Sequence, residues 1–247
     1  MNSLTHDLAP RSVEGGDSEP LSRQRIKDFI KDRKLGQLGI RAKTMAAVAI
    51  ESRKQPLAGI NRLHGVRKLM NMEGYILQAE ANFLRGLLLK NETIKKIGEI
   101  GFNGGHSSFV FLGTRPDTEV TSFDIGEHDY VETAEQYIST AFPGRLQLIR
   151  GDSKATVPQF AAGLEQPDFD LLFIDGGHDI QTAKADIANF AHLARPGASV
   201  VVDDYLPHRH YGVGPSMAWD EAVSASMVAQ EAIVEADGRA WAVGHYL

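Results

Sequence analysis

Five acidic or hydroxylic clusters stand out for chemistry. Glu99-Ile100-Gly101-Phe102-Asn103-Gly104-Gly105-His106-Ser107-Ser108 reads as a strand running through glycines into a helix start. Glycine tolerates positive φ and close approach, and a helix N-terminus offers unpaired N–H groups to an anion. Asp124 ends the next apolar run, 23 residues after Gly101. An acid there can accept both ribose hydroxyls of an adenosine ligand. Arg150-Gly151-Asp152-Ser153 adds an acid and a hydroxyl, which also suit a helix N-cap. Phe173-Ile174-Asp175-Gly176-Gly177-His178 and Val201-Val202-Asp203-Asp204-Tyr205 close two more apolar runs. If these runs are parallel strands, Asp175, Asp203 and Asp204 share one sheet edge and repel unless a cation lies among them. An oxygen-liganded Mg²⁺-type ion answers that conflict, and His178 beside it can act as a base. The plain alternative is that the acids cap helices and His178 lies on the surface.

The remaining histidines carry less information. His106 belongs to the helix start, His128 follows Asp124 closely, and His208 and His210 sit in a Gly/Pro-rich loop over 207–215.

Positioning such residues takes a layered sheet. Lys96–Ile100, Glu119–Asp124, Leu146–Arg150, Asp170–Asp175 and Ala198–Asp203 read as strands, and Ser107–Leu112, Val131–Ala141, Ala155–Ala162 and Ile180–Leu193 as helices between them. That alternation predicts an α/β fold with a parallel sheet covered on both faces. A helix over Ala218–Ala229 follows, then Ala232–Ala236 and Trp241–Tyr246 joined at Asp237-Gly238, a hairpin signal. Ahead of the sheet, Leu21–Lys34, Thr44–Arg53 and Tyr75–Leu89 read as helices, and residues 1–20 as a polar leader without a packed structure. The expected organisation is a leader over 1–20, a basic helical cap over 21–73 and a ligand-binding domain over 74–247.

The 247 residues contain no cysteine, which excludes disulfides, thiolate metal sites and a cysteine nucleophile. The longest uninterrupted apolar run, Met45–Ile50, is far short of a bilayer span, and the first twenty residues lack a signal-peptide apolar region. A cytoplasmic location without membrane contact is the expectation. Net charge is −6, yet residues 21–70 hold 13 Lys/Arg against 3 Asp/Glu. Such a segment suits a nucleic-acid surface, a solvated face or self-association into a homo-oligomer. Phe29 is the only aromatic residue in it, which argues against base stacking.

Glu-Ile-Gly-x-x-Gly-Gly-x-Ser (99–107), Ser-Phe-Asp (122–124), Gly-Asp-Ser (151–153), Phe-Ile-Asp-Gly-Gly-His (173–178) and Asp-Asp-Tyr (203–205), in that order, resemble the class I S-adenosylmethionine-dependent methyltransferases. More narrowly, the pattern is similar to the metal-dependent small-molecule O-methyltransferases of the macrocin and mycinamicin sugar type, kin to the catechol type. The resemblance covers roughly residues 72–247, about 70% of the chain, and departs from the commonest glycine spacing at Asn103. It implies a Rossmann-like, doubly wound, seven-stranded sheet, mostly parallel, with an antiparallel C-terminal hairpin. It further implies that Gly101, Gly104, Gly105 and Ser107 hold the methionine part of S-adenosylmethionine, Asp124 the ribose, and Asp152 and Ser153 the adenine, with Glu99 also among the cofactor-binding residues. Asp175, Asp203 and Asp204 would hold Mg²⁺ or a similar divalent cation. His178 would stand where the family has its general base. The acceptor would be a hydroxyl of a small molecule, a sugar or phenol of natural-product biosynthesis. Three rivals stay open: a nucleic-acid methyltransferase using the basic segment, a nicotinamide-dependent oxidoreductase, and a non-catalytic cofactor-binding module.

Overall fold

The computed structural model describes residues 57–67, 72 and 74–247. The leader over 1–20, the expected helices Leu21–Lys34 and Thr44–Arg53, and most of the cap over 21–73 lie outside the described residues. The chain enters with α1 (Ala58–Arg67) and α2 (Gln78–Lys90) and then alternates: β1 (Lys96–Ile100), α3 (His106–Thr114), β2 (Glu119–Asp124), α4 (Asp129–Ala141), β3 (Leu146–Arg150), α5 (Ser153–Ala161), β4 (Phe169–Ile174), α6 (Ile180–Ala191) and β5 (Ala194–Val202). It closes with α7 (Val213–Ser224), β6 (Val228–Ala236) and β7 (Arg239–Tyr246).

The seven strands form one sheet in the order β3-β2-β1-β4-β5-β7-β6. All neighbours are parallel except β7, which lies antiparallel between β5 and β6. The doubly wound α/β architecture with an antiparallel C-terminal hairpin is therefore as expected. Strand side chains alternate between faces. Leu171 and Phe173 of β4 join the core under α1 to α4, whereas Leu172 and Ile174 join the core under α5, α6 and α7. Covering both faces explains why β4 reads as a continuous apolar run.

Three elements differ from the sequence expectation. α1 was not legible, because Gly59 and Gly65 interrupt it, yet Ile60 and Leu63 are fully buried in the core shared with α2, α3 and α4. Tyr137 Oη also donates to Gly59 O (3.3 Å), tying α1 to α4. At the other end, the helix expected over Ala218–Ala229 starts earlier and stops at Ser224. Ser226 turns left-handed (φ 57°), and Val228 already belongs to β6, paired with Tyr246. Among the described residues no helix is long and apolar enough to cross a membrane.

Candidate active site

Parallel strands bring the carboxyl ends of β1 to β5 to one edge, where a cavity of about 590 Å³ opens. Gly101, Asp124, Asp152, Ser153, Asp175, His178, Asp203 and Asp204 all line it. Glu99, Gly104, Gly105 and Ser107 lie off its wall.

The glycine turn is shaped by packing as much as by any ligand. Gly101 has φ 94°, and a Cβ there would sit 1.8 Å from Asp175 O, so only glycine lets the ends of β1 and β4 touch. Gly105, at φ 76°, caps α3, and a Cβ would meet Ile138 Cδ1 at 2.5 Å. Glu99 is 0% exposed and accepts from the hydroxyls of Ser107, Ser108 and Ser122. Burial raises its carboxyl while the three hydroxyls oppose the rise. Glu99 and Ser107 thus clamp β1, β2 and the start of α3 rather than facing the cavity.

Asp124, the acid expected at the ribose, lines the cavity at the end of β2. Its Oδ2 accepts from Asn103 N and its Oδ1 from Gly126 N, both at 2.7 Å. Each oxygen keeps a lone pair for a further donor, so a diol can bridge them. Asn103 reaches this geometry at φ 46°, a left-handed conformation that asparagine tolerates better than most residues. The spacing departure noted above therefore delivers a backbone donor to Asp124. Beside it Phe123, Val131 and the exposed Ile125 offer apolar surface, with Asp152 and Ser153 at its edge. Asp152 caps α5 by accepting from Lys154 N (2.9 Å), and Ser153 Oγ donates to Asp186 Oδ1 (2.6 Å).

The acidic end is denser than its three expected members. Asp203 and Asp204 are buried at the end of β5, and Asp204 is left-handed at φ 54°, a strained backbone of the kind that gathers at functional sites. Asp204 Oδ2 meets His178 Nε2 at 3.0 Å, and its Oδ1 accepts from Arg239 Nη1 at 3.2 Å. That bond to Asp204 raises the His178 imidazole. Ligand atoms of Asp175, His178 and Asp204 all lie within 4.8 Å of one another. Asp203 is outside that set.

Two partners were not foreseen. Arg239 opens β7 across the Asp237-Gly238 turn, 35 residues after Asp204, and no local spacing links them. Glu80 is buried in the first turn of α2. It shares a helix face with Leu84 and Leu88, so the legible signal was an acid at i, i+4 and i+8 with two leucines. Burial first, then Asp203, pushes the Glu80 carboxyl well up. Asp175 is pushed up likewise, and Asp203 to about 7. Glu80 Oε1 and Asp203 Oδ1 have no hydrogen-bond partner among the described residues. The possible donors, four carboxylates and one imidazole, are oxygen apart from that imidazole and fit a hard divalent cation. His128 lines the cavity against Tyr130, His106 is buried on His64, and His208 and His210 are exposed.

Residues 99–205 match the family model described as a methyltransferase domain. The match runs from the end of β1 to just past β5 and contains the carboxyl ends of β1 to β5. No curated protein matches the sequence. Among solved structures, the chain is similar to an O-methyltransferase from Bacillus cereus in complex with SAH, with TM-score 0.64 and 19% identity, covering 83% of this chain and 100% of that one. It is also similar to an O-methyltransferase from Streptomyces achromogenes involved in tomaymycin synthesis, in complex with SAM, with TM-score 0.58 and 19% identity over 92% of this chain and 99% of that one. A TDP-rhamnose 3′-O-methyltransferase of calicheamicin biosynthesis follows at TM-score 0.56 and 15% identity, covering 85% of this chain and 96% of that one. At such identities the likeness is one of fold. The acids that close β4 and β5 have no evident task in hydride transfer, the chemistry of the nicotinamide reading.

Proposed function

We propose that this chain transfers the methyl group of S-adenosylmethionine to a hydroxyl of a small molecule, a sugar or phenol of natural-product biosynthesis, with Mg²⁺ or a similar divalent cation. One observation carries the reading: a single cavity joins a doubly anchored Asp124 at one end to Asp175, Asp203, Asp204 and His178 at the other. The O-methyltransferases of the same fold, two of them holding SAH or SAM, support it.

A methyl sulfonium is already activated, so the chain must hold the acceptor oxygen in line and receive its proton. The new bond joins that oxygen to the methyl carbon, and the breaking C–S bond leaves its electron pair on sulfur. His178, with Nε2–H given to Asp204, presents Nδ1 to take the hydroxyl proton. Asp204 stabilises the resulting imidazolium through one oxygen and meets Arg239 through the other. Asp175, Asp203 and Asp204 would hold the cation, which would polarise the acceptor hydroxyl.

A second reading rests on the convergence of Asp175, His178 and Asp204, which puts the imidazole in reach of ligating the cation itself. His178→Ala distinguishes the two. A base leaves Mg²⁺ affinity intact and loses turnover, whereas a ligand loses both.

The test is methyl transfer from labelled S-adenosylmethionine to a panel of catechols and sugars. Transfer is expected with Mg²⁺, absent with EDTA and restored by added Mg²⁺. Failure of S-adenosylhomocysteine to raise the melting temperature would remove the cofactor, and turnover indifferent to EDTA would remove the metal.

A further inference from the structure

Asp186 is a buried carboxylate that the methyl-transfer mechanism does not use. It is 0% exposed on α6, and its helix face is otherwise Ala183, Ile187 and Phe190, all buried. An ionised acid in such surroundings is costly, and an apolar residue would pack there without cost. Its Oδ2 has no hydrogen-bond partner among the described residues and abuts Gly176, where an added Cβ would stand 2.6 Å away. Its Oδ1 accepts from Ser153 Oγ at 2.6 Å. The acid thus acts on one group, the hydroxyl of Ser153, and Ser153 lines the cavity beside Asp152 and Phe123.

A hydroxyl has one proton and two lone pairs. With the proton committed to Asp186, Ser153 shows the cavity lone pairs only. We propose that Asp186 is a positioning residue that fixes Ser153 as an acceptor and so makes the nucleoside end of the cavity select a 6-amino purine over a 6-oxo purine. The inference rests on the cofactor reading above. Adenine offers one exocyclic donor, its 6-amino group. Hypoxanthine puts a carbonyl there, which sets two acceptors face to face and leaves both unsatisfied. Burial pushes the Asp186 carboxyl up to about 6, so it is ionised at pH 8 and holds the serine proton.

The experiment is calorimetric titration at pH 8 of the full chain with S-adenosylhomocysteine and with its deaminated counterpart, S-inosylhomocysteine. The wild type is expected to prefer the adenosyl ligand by about 10- to 100-fold, the cost of an unpaired buried acceptor. In Asp186→Leu the freed hydroxyl can donate to a 6-oxo group, and the ratio falls to within about 3-fold. Ser153→Ala removes the acceptor and lowers the ratio to the same range. A merely structural Asp186 would weaken both ligands alike and leave their ratio standing, and that result overturns the proposal. So does a wild type that binds both ligands equally. If Asp186→Leu fails to fold, Ser153→Ala decides: a retained preference overturns the proposal. A wild type that binds neither ligand refutes the cofactor reading itself, a distinct outcome.

Discussion

Asp124 and His178 sit at opposite ends of one cavity, and their substitutions should separate binding from chemistry. Asp124 is held by two backbone donors, so Asp124→Ala removes a preorganised pair of acceptors without creating a cavity in the core. Two hydrogen bonds to a charged group predict a loss of about 3 kcal/mol, roughly 100-fold in S-adenosylhomocysteine affinity by calorimetry. His178→Ala should instead lower kcat by about 10²- to 10⁴-fold, the range for a lost general base. S-adenosylhomocysteine affinity in that variant should stay within about 3-fold of wild type. At this scale the sequence was legible wherever a side chain closes a strand: Asp124, Asp152, Ser153, Asp175, His178, Asp203 and Asp204 all reach the cavity. Glu99 and Ser107, also expected at the cofactor, lie off the cavity wall and hold the strand–helix junction to each other. Arg239, Glu80 and Asp186 were missed because their partners are remote in sequence, though both acids broke the apolar face of a helix.

Among the elements, the junction of β1, β2 and α3 decides whether the glycine turn holds its shape. Glu99 is the pin, because three serine hydroxyls from β2 and α3 point at one buried carboxylate. Glu99→Ala would strand those donors without water, and urea denaturation should show a loss of about 3 kcal/mol, one to two buried polar groups' worth. The same variant should bind S-adenosylhomocysteine more weakly although Glu99 does not line the cavity. Secondary structure was readable where periodicity was strong, as in β4 and α6. It failed at α1, whose helix depends on burying Ile60 and Leu63 rather than on its own propensity, and at the α7–β6 boundary. There Ser226 turns left-handed within a stretch of helix-forming residues, a backbone choice that composition does not announce.

For the molecule as a whole, acid tolerance should be set in part by the buried imidazole pair that joins α1 to α3. His64 and His106 stack at 4.9 Å, and burial holds His106 down to about 3. An unfolded histidine takes up a proton near pH 6.5, while the folded one refuses it until about pH 3. This contribution to stability is therefore complete above pH 6.5 and declines as the pH falls toward 3. By pH 5 the decline amounts to about 2 kcal/mol. His106→Gln should remove it, so the gap between wild type and variant in urea unfolding should shrink by that amount between pH 7.5 and pH 5. The parallel sheet with both faces covered followed from the alternation of runs and the hairpin from the Asp-Gly turn, whereas the antiparallel insertion near one edge was implied only by the family resemblance.

The arginine facing Asp204 arrives on the last strand, which also lies between β5 and β6. Loss of β7 would therefore detach β6 from the rest of the sheet and leave Asp204 without the guanidinium that faces it. Closure of the sheet and charge balance at its carboxyl edge thus depend on a single strand, so a truncation ahead of Arg239 should damage both together instead of trimming a dispensable tail.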